Sequence, residues 1–327
     1  MNSRRIVGAL MAAALLLLTA CGSTDSADDG PWRFTDDLGT KIELDSAPDR
    51  LLVQSSMAAA LTDLGLGDKI VGTFGPLKNA EGKPDAQVAG LDIDAATDVT
   101  GGGEYGDIDL EKAAGLKPDL IVTSAYLEEE LWYLNAATAK KAKKLAPILV
   151  VSFDGKTLPD LLEGTERAGK ALGADLDAED TQKAHDDFTA AADRVREIGT
   201  SMGDRKILAG SPAQDVFYAS NPEVSPDLSY WRDELDLPLI TPTKPDEGGY
   251  FQSLSWEKAD TYPADVFLYD DRVGKAGLAM LDDQPVFQTL EAAKNEAYVP
   301  WTSVAPPSFR AYADLTNRLA DDLEKFV

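Results

Sequence analysis

Aromatic rings and arginines recur in this chain just past short apolar runs, where a strand gives way to a loop. Loops held by a rigid scaffold are where binding groups concentrate. In the first half these positions carry Phe74, Tyr105, Tyr126 and Phe153, with Trp132 opening the helix that follows. In the second half they carry Tyr230 and Trp231, Tyr250 and Phe251, then Arg272, Trp301, Phe309 and Arg310. Aromatic faces suit a bulky, partly apolar ligand, and an arginine offers a bidentate fork to paired oxygens. This is the equipment of a binding cleft. Arg272, in Tyr269-Asp270-Asp271-Arg272, either faces a ligand or pairs with a neighbouring aspartate.

Equipment for catalysis is sparse. The chain has one cysteine, Cys21, and one histidine, His185, and no Gly-x-Ser-x-Gly elbow, so neither a triad nor a multi-histidine metal site can be assembled. His185 reads as a solvated mid-helix residue. The acidic runs at Asp28-Asp29, Glu128-Glu129-Glu130 and Asp321-Asp322 lack calcium-loop spacing and read as solvated faces. Gly101-Gly102-Gly103-Glu104 is not followed by Lys-Ser or Lys-Thr, so it is no phosphate loop. A hydrolase working through a pair of carboxylates stays open at this point. The net charge of −26 over 327 residues repels nucleic acid and anionic headgroups and disfavours a polyanionic ligand.

Strand and helix alternate along most of the chain, which predicts mostly parallel sheets covered by helices on both faces. The expected strands include Leu51-Leu52-Val53, Leu120-Ile121-Val122, Ile148-Leu149-Val150-Val151 and Val266-Phe267-Leu268-Tyr269. Expected helices follow Ser55 or Ser56 as cap, then span Asp109 to Leu116, Glu128 to Leu145, Leu158 to Leu172 and Ser308 to Phe326. Between Asp177 and Met202 the stripe Ala184, Phe188, Ala191, Val195, Ile198 and Met202 marks one long helix at mid-chain. The fold class expected is therefore α/β, with two lobes joined by a long rigid helix. The predicted boundaries are 31–176 for the N-terminal lobe, 177–202 for the connecting helix and 203–327 for the C-terminal lobe.

Residues 1–20 read as a leader: Arg4 and Arg5, an apolar run from Ile6 to Leu18, then Leu18-Thr19-Ala20-Cys21. The run is too short to span a membrane comfortably. This ending resembles a bacterial lipobox, which implies cleavage before Cys21, lipidation of its sulfur and an anchor in the outer face of the cell membrane. Export by the general or the twin-arginine route stays open. Residues 21–30, small and acidic, read as a flexible tether.

Several segments in order resemble one family: Ala47-Pro48-Asp49-Arg50-Leu51, Leu64-Gly65-Leu66-Gly67-Asp68-Lys69-Ile70-Val71-Gly72, Leu116-Lys117-Pro118-Asp119-Leu120-Ile121-Val122, Leu254-Ser255-Trp256-Glu257-Lys258-Ala259-Asp260 and Ala264-Asp265-Val266-Phe267-Leu268. The chain is similar over about Phe34 to Phe326 to the iron-siderophore and cobalamin class of substrate-binding proteins of ABC importers. The resemblance implies a monomeric, non-enzymatic receptor that holds its ligand between two lobes, with little lobe motion, and delivers it to a permease. It also implies that iron arrives inside its chelator, so that no protein metal ligand or cofactor is needed. The scarcity of cations at the candidate positions favours a hydroxamate over a catecholate ferric siderophore. Cobalamin, haem and a signalling role are the alternatives. Where family members often carry a permease-docking glutamate this chain has Ala59; Asp63, Asp233 and Glu234 are the acidic candidates for that role.

Overall fold

A computed structural model describes residues 30–126 and 130–327. Cys21, the leader and the tether as far as residue 29 lie outside the described residues. The chain enters through an antiparallel hairpin, β1 (Trp32–Thr35) and β2 (Lys41–Leu44). It then builds a parallel sheet from β3 (Leu51–Gln54), β4 (Ile70–Phe74), β5 (Leu120–Ala125) and β6 (Ile148–Ser152), in the order β4-β3-β5-β6. β3, β5 and β6 are buried at every position, as strands covered on both faces must be. The covering helices are α1 (Ser55–Asp63), α2 (Leu110–Gly115), α3 (Ala136–Ala142) and α4 (Leu158–Ala171).

The helix expected over Glu128 to Leu145 is shorter. Glu128 and Glu129 lie outside the described residues; among the described ones only α3 forms, capped by the Asn135 side chain on Thr138 N, because Leu131 bridges back to Ala125 and Tyr133 adopts φ +53°. Gln54, not Ser55 or Ser56, caps α1, accepting from Ser56 N and Met57 N.

Helix α5 (Glu179–Ser201) buries Ala184, Phe188, Ala191, Val195 and Ile198, the stripe read from the sequence. It leads into a second sheet of β7 (Ile207–Pro212), β8 (Phe217–Ser220), β9 (Phe251–Leu254), β10 (Val266–Asp270) and β11 (Tyr298–Trp301), in the order β11-β10-β7-β8-β9. α6 (Pro226–Asp233), α7 (Gly274–Asp282), α8 (Glu291–Lys294) and α9 (Phe309–Leu323) accompany it. β7, β10 and β11 run parallel, and β8 and β9 extend the sheet antiparallel. Strand order reverses between β3 and β5 in one lobe and between β7 and β10 in the other. Ligands of open α/β sheets sit beyond the carboxyl ends of strands at such switch points.

One glycine fixes how α5 meets the second lobe. A Cβ on Gly199 would lie 2.5 Å from Leu235 O and 2.8 Å from Asp236 O, both rigid backbone atoms. Gly→Ala in an open helix stabilises by about 1 kcal/mol. Gly199→Ala is expected instead to cost about 1 to 3 kcal/mol through overpacking, read as a lower urea midpoint with an unchanged slope.

Candidate functional site

The carboxyl ends of both sheets face a cleft of about 610 Å³, within the ordinary size of a small-molecule site. From the N-terminal lobe, Tyr126 follows β5 directly and Phe153 follows β6. Their rings stack at 4.2 Å between centroids, and Trp132 lies 4.5 Å from Tyr126. Trp132 is held by its backbone, whose N–H donates to Ser124 O at 2.8 Å; it precedes α3 instead of opening it. Tyr126 Oη and Trp132 Nε1 are both buried and have no hydrogen-bond partner among the described residues. Burial pushes the Tyr126 phenol far above its usual range, so it stays a neutral donor.

From the C-terminal lobe come Arg272, just past β10, Trp301 at the end of β11, and Tyr250 and Phe251 at the start of β9. Arg272 makes a two-toothed pair with Asp270: Nε lies 3.0 Å from Oδ1 and Nη2 lies 2.5 Å from Oδ2. Asp270 is 4% exposed and also accepts from Ser303 Oγ at 2.9 Å. The arginine side chain itself is 47% exposed and lines the cleft. The side chain that pairs with the aspartate is thus also the one that lines the cleft. Tyr250 Oη donates to Tyr126 O at 2.6 Å, a bond that crosses from one lobe to the other.

Among the cleft residues that the sequence reading did not place there are Tyr218, Asp227, Asp270 and Tyr312. Asp227 is 3% exposed and accepts from Trp301 Nε1 at 2.7 Å, Leu228 N at 2.8 Å and Ser225 Oγ at 3.0 Å. Burial pushes its carboxyl above the usual range, and these bonds pull it part of the way back. Ser225-Pro226-Asp227 is a helix-start signature that could have placed Asp227 at the base of the cleft. Tyr218 could have been found from the alternation of β8, where Phe217 and Ala219 are buried while Tyr218 and Ser220 face the cleft.

Other expected ligand residues lie elsewhere. Phe74 is fully buried at the end of β4, and Trp231 is 3% exposed in the C-terminal core, so neither offers surface to a ligand. Helix α6 turns Tyr230 onto Phe188, with rings stacked at 5.8 Å. Phe309 stacks on His185 at 3.8 Å, and Arg310 points to Asp63, its Nε 3.8 Å from Oδ1. Tyr105 is 59% exposed on a neighbouring surface, against Tyr133 at 5.0 Å and Trp132 at 6.3 Å. His185 is not a solvated helix residue: Nε2 lies 2.6 Å from Glu166 Oε1.

The acidic docking candidates also divide. Asp63 is engaged within the protein, its carboxylate taking a 2.5 Å bond from Ser308 Oγ, so it is not the free surface charge expected. Asp233 and Glu234 are exposed at the end of α6, with Asp233 paired to Arg232 at 2.6 Å. Ala59 is fully buried.

A family model described as "Periplasmic binding protein" matches residues 52–304. No curated protein matches the sequence. Among solved structures, DesE, a ferric-siderophore receptor protein from Streptomyces coelicolor, is 32% identical with a TM-score of 0.81, covering 90% of this chain and 98% of its own. The petrobactin-binding protein YclQ of Bacillus subtilis is 18% identical with a TM-score of 0.67, covering 90% and 99%. PiuA, an iron-uptake ABC transporter substrate-binding protein of Streptococcus pneumoniae, is 19% identical with a TM-score of 0.60, covering 90% and 98%. These last two likenesses carry the fold alone.

Proposed function

The chain belongs to the periplasmic binding protein family, and from that premise we propose that it is a lipid-anchored receptor that captures a ferric hydroxamate siderophore in the interlobe cleft and hands it to an ABC permease. It is the substrate-binding component of an ABC importer, acts outside the cytoplasm and is a transport protein, not an enzyme.

The observation that carries the ligand reading is the pairing of unused donors with balanced charge. The open face of Arg272 offers hydrogen bonds directly to an acceptor-rich ligand, and Tyr126 Oη and Trp132 Nε1, covered from solvent and without a partner among the described residues, become available once the aromatic wall adjusts around it. Yet, among the described residues, the one arginine that lines the cleft is already matched by Asp270, and Asp227 adds a second carboxyl. A strongly anionic tricatecholate would enter with no surplus cation to meet it, at a steep desolvation cost. A ferric trihydroxamate is neutral at the metal and presents ligating oxygens to those donors, while its linkers pack on Phe153, Phe251 and Tyr126. The 32% identity to a ferric-siderophore receptor supports the same class. Lipidation at Cys21 and permease contact through the exposed Asp233 and Glu234 complete the proposal.

Trp132 and Trp301 line the cleft and report on its occupancy. The full chain in detergent is titrated with a linear and a cyclic ferric trihydroxamate, a ferric tricatecholate, cobalamin and haem, each beside its metal-free form. Saturable quenching by the ferric trihydroxamates alone is the expected result. A tighter response to the catecholate, or to cobalamin or haem, overturns the ligand class. Flat titrations throughout, with the fold intact, favour a sensor that keeps the binding fold.

A further inference from the structure

The lobes also meet away from the cleft, at the N-terminus of α9. Asp63 is the last residue of α1, and its side chain is only 11% exposed. Ser308 Oγ donates to Asp63 Oδ2 at 2.5 Å while accepting from Ala311 N at 3.1 Å. The hydroxyl that caps a helix of one lobe is thus oriented by a carboxylate of the other. A carboxylate at that point also meets the positive end of the α9 dipole. Burial pushes Asp63 above the usual carboxylate range, and the Ser308 bond and the Arg310 charge act against that.

The next residue of the segment is seated as firmly. Phe309 stacks on His185 of α5 at 3.8 Å and meets the edge of Phe188 at 5.4 Å, and His185 is held by Glu166 of α4 at 2.6 Å. The same stretch of chain supplies cleft wall on both sides of this plug: Trp301, Ser303 and Val304 before it, Tyr312 after it. A shift of the α9 N-terminus therefore moves a wall of the cleft.

We propose that Asp63 is a positioning residue for ligand capture: its bond to Ser308 pins the Trp301–Tyr312 wall against the N-terminal lobe and so sets the width of the cleft. The ligand readout rests on the receptor reading above; the second readout does not. Asp63→Ala in the full chain is expected to raise the Kd for a linear ferric trihydroxamate about ten-fold, mainly through faster dissociation. Asp63→Asn keeps an oxygen for Ser308 and is expected to recover affinity to within about three-fold. Ser308→Ala should resemble Asp63→Ala, and the double variant should add little, because the two act through one bond. Without ligand, amide hydrogen exchange over residues 302–313 should quicken in Asp63→Ala and less in Asp63→Asn.

Wild-type affinity in Asp63→Ala overturns the proposal. So does an Asn variant as weak as the Ala variant, since loss of charge or packing would then explain both. Should Asp63→Ala not fold, Ser308→Ala carries the same comparison. If the wild type binds no trihydroxamate, the trihydroxamate reading falls, and unchanged exchange over 302–313 in the variants still overturns the positioning role.

Discussion

Arg272→Ala should lower affinity for a ferric trihydroxamate by about 10- to 100-fold, the equivalent of losing one or two charge-assisted hydrogen bonds in a partly desolvated site. The guanidinium is fixed before any ligand arrives, because Asp270 grips Nε and Nη2 and is itself held by Ser303 Oγ and the Arg272 backbone N–H. A donor already ordered loses little entropy on binding. Lysine cannot reproduce the fork, so Arg272→Lys should recover only part of the loss. The single variant also strands the buried Asp270 carboxylate and makes the cleft more negative, which could weaken an acceptor-rich ligand by repulsion alone. Adding Asp270→Asn removes that charge. A loss that persists in the double variant belongs to the missing donor; a loss that disappears belongs to the stranded charge. Titration by tryptophan quenching reads both, and wild-type Kd values in Arg272→Ala would remove this residue from the site.

The same pair shows what could be read from the sequence. β3, β5, β6 and β10 announce themselves as apolar runs because both faces of their sheets are covered, and the residue after each run falls at a sheet's carboxyl end. Tyr126, Phe153 and Arg272 were legible for that reason. β9 was not, because Phe251-Gln252-Ser253-Leu254 is an edge strand with one buried residue. Tyr230 and Trp231 are neighbours on one helix turn, and nothing in their types says which of them enters the core. Trp132 escapes its expected helix through a left-handed tyrosine, a conformation that sequence does not mark outside glycine and asparagine. Asp63 looked like a free charge because its partner, Ser308, lies 245 residues along the chain. Pairings of that span follow from topology and leave no local pattern.

Trp301→Ala should do more than weaken binding; it should destabilise the C-terminal lobe. The side chain is 6% exposed, belongs to the core beside Leu268, Val299 and Leu319, and gives its Nε1–H to the buried Asp227. Deleting the indole costs about 3 to 5 kcal/mol in packing and cavity, before counting the carboxylate left short of a donor. Trp301→Phe separates the two contributions. It keeps much of the volume, loses only the donor, and should cost about 1 to 3 kcal/mol. The Asp227 part carries a pH signature. Its folded pKa is raised by burial, so the folded state holds this proton more tightly than the unfolded chain. Stability contributed through Asp227 is therefore greatest at acid pH and falls as pH rises from the ordinary aspartate value of 3.8 through the folded value. Without the Trp301 donor that raised value climbs further, and the fall becomes larger. The gap in unfolding free energy between wild type and Trp301→Phe should widen as pH rises from about 4 to about 7, with little change above the variant's folded value. Urea unfolding across that range measures it. A gap constant with pH would mean that Asp227 stays charged or finds another donor, and the contribution of Trp301 would then be packing alone.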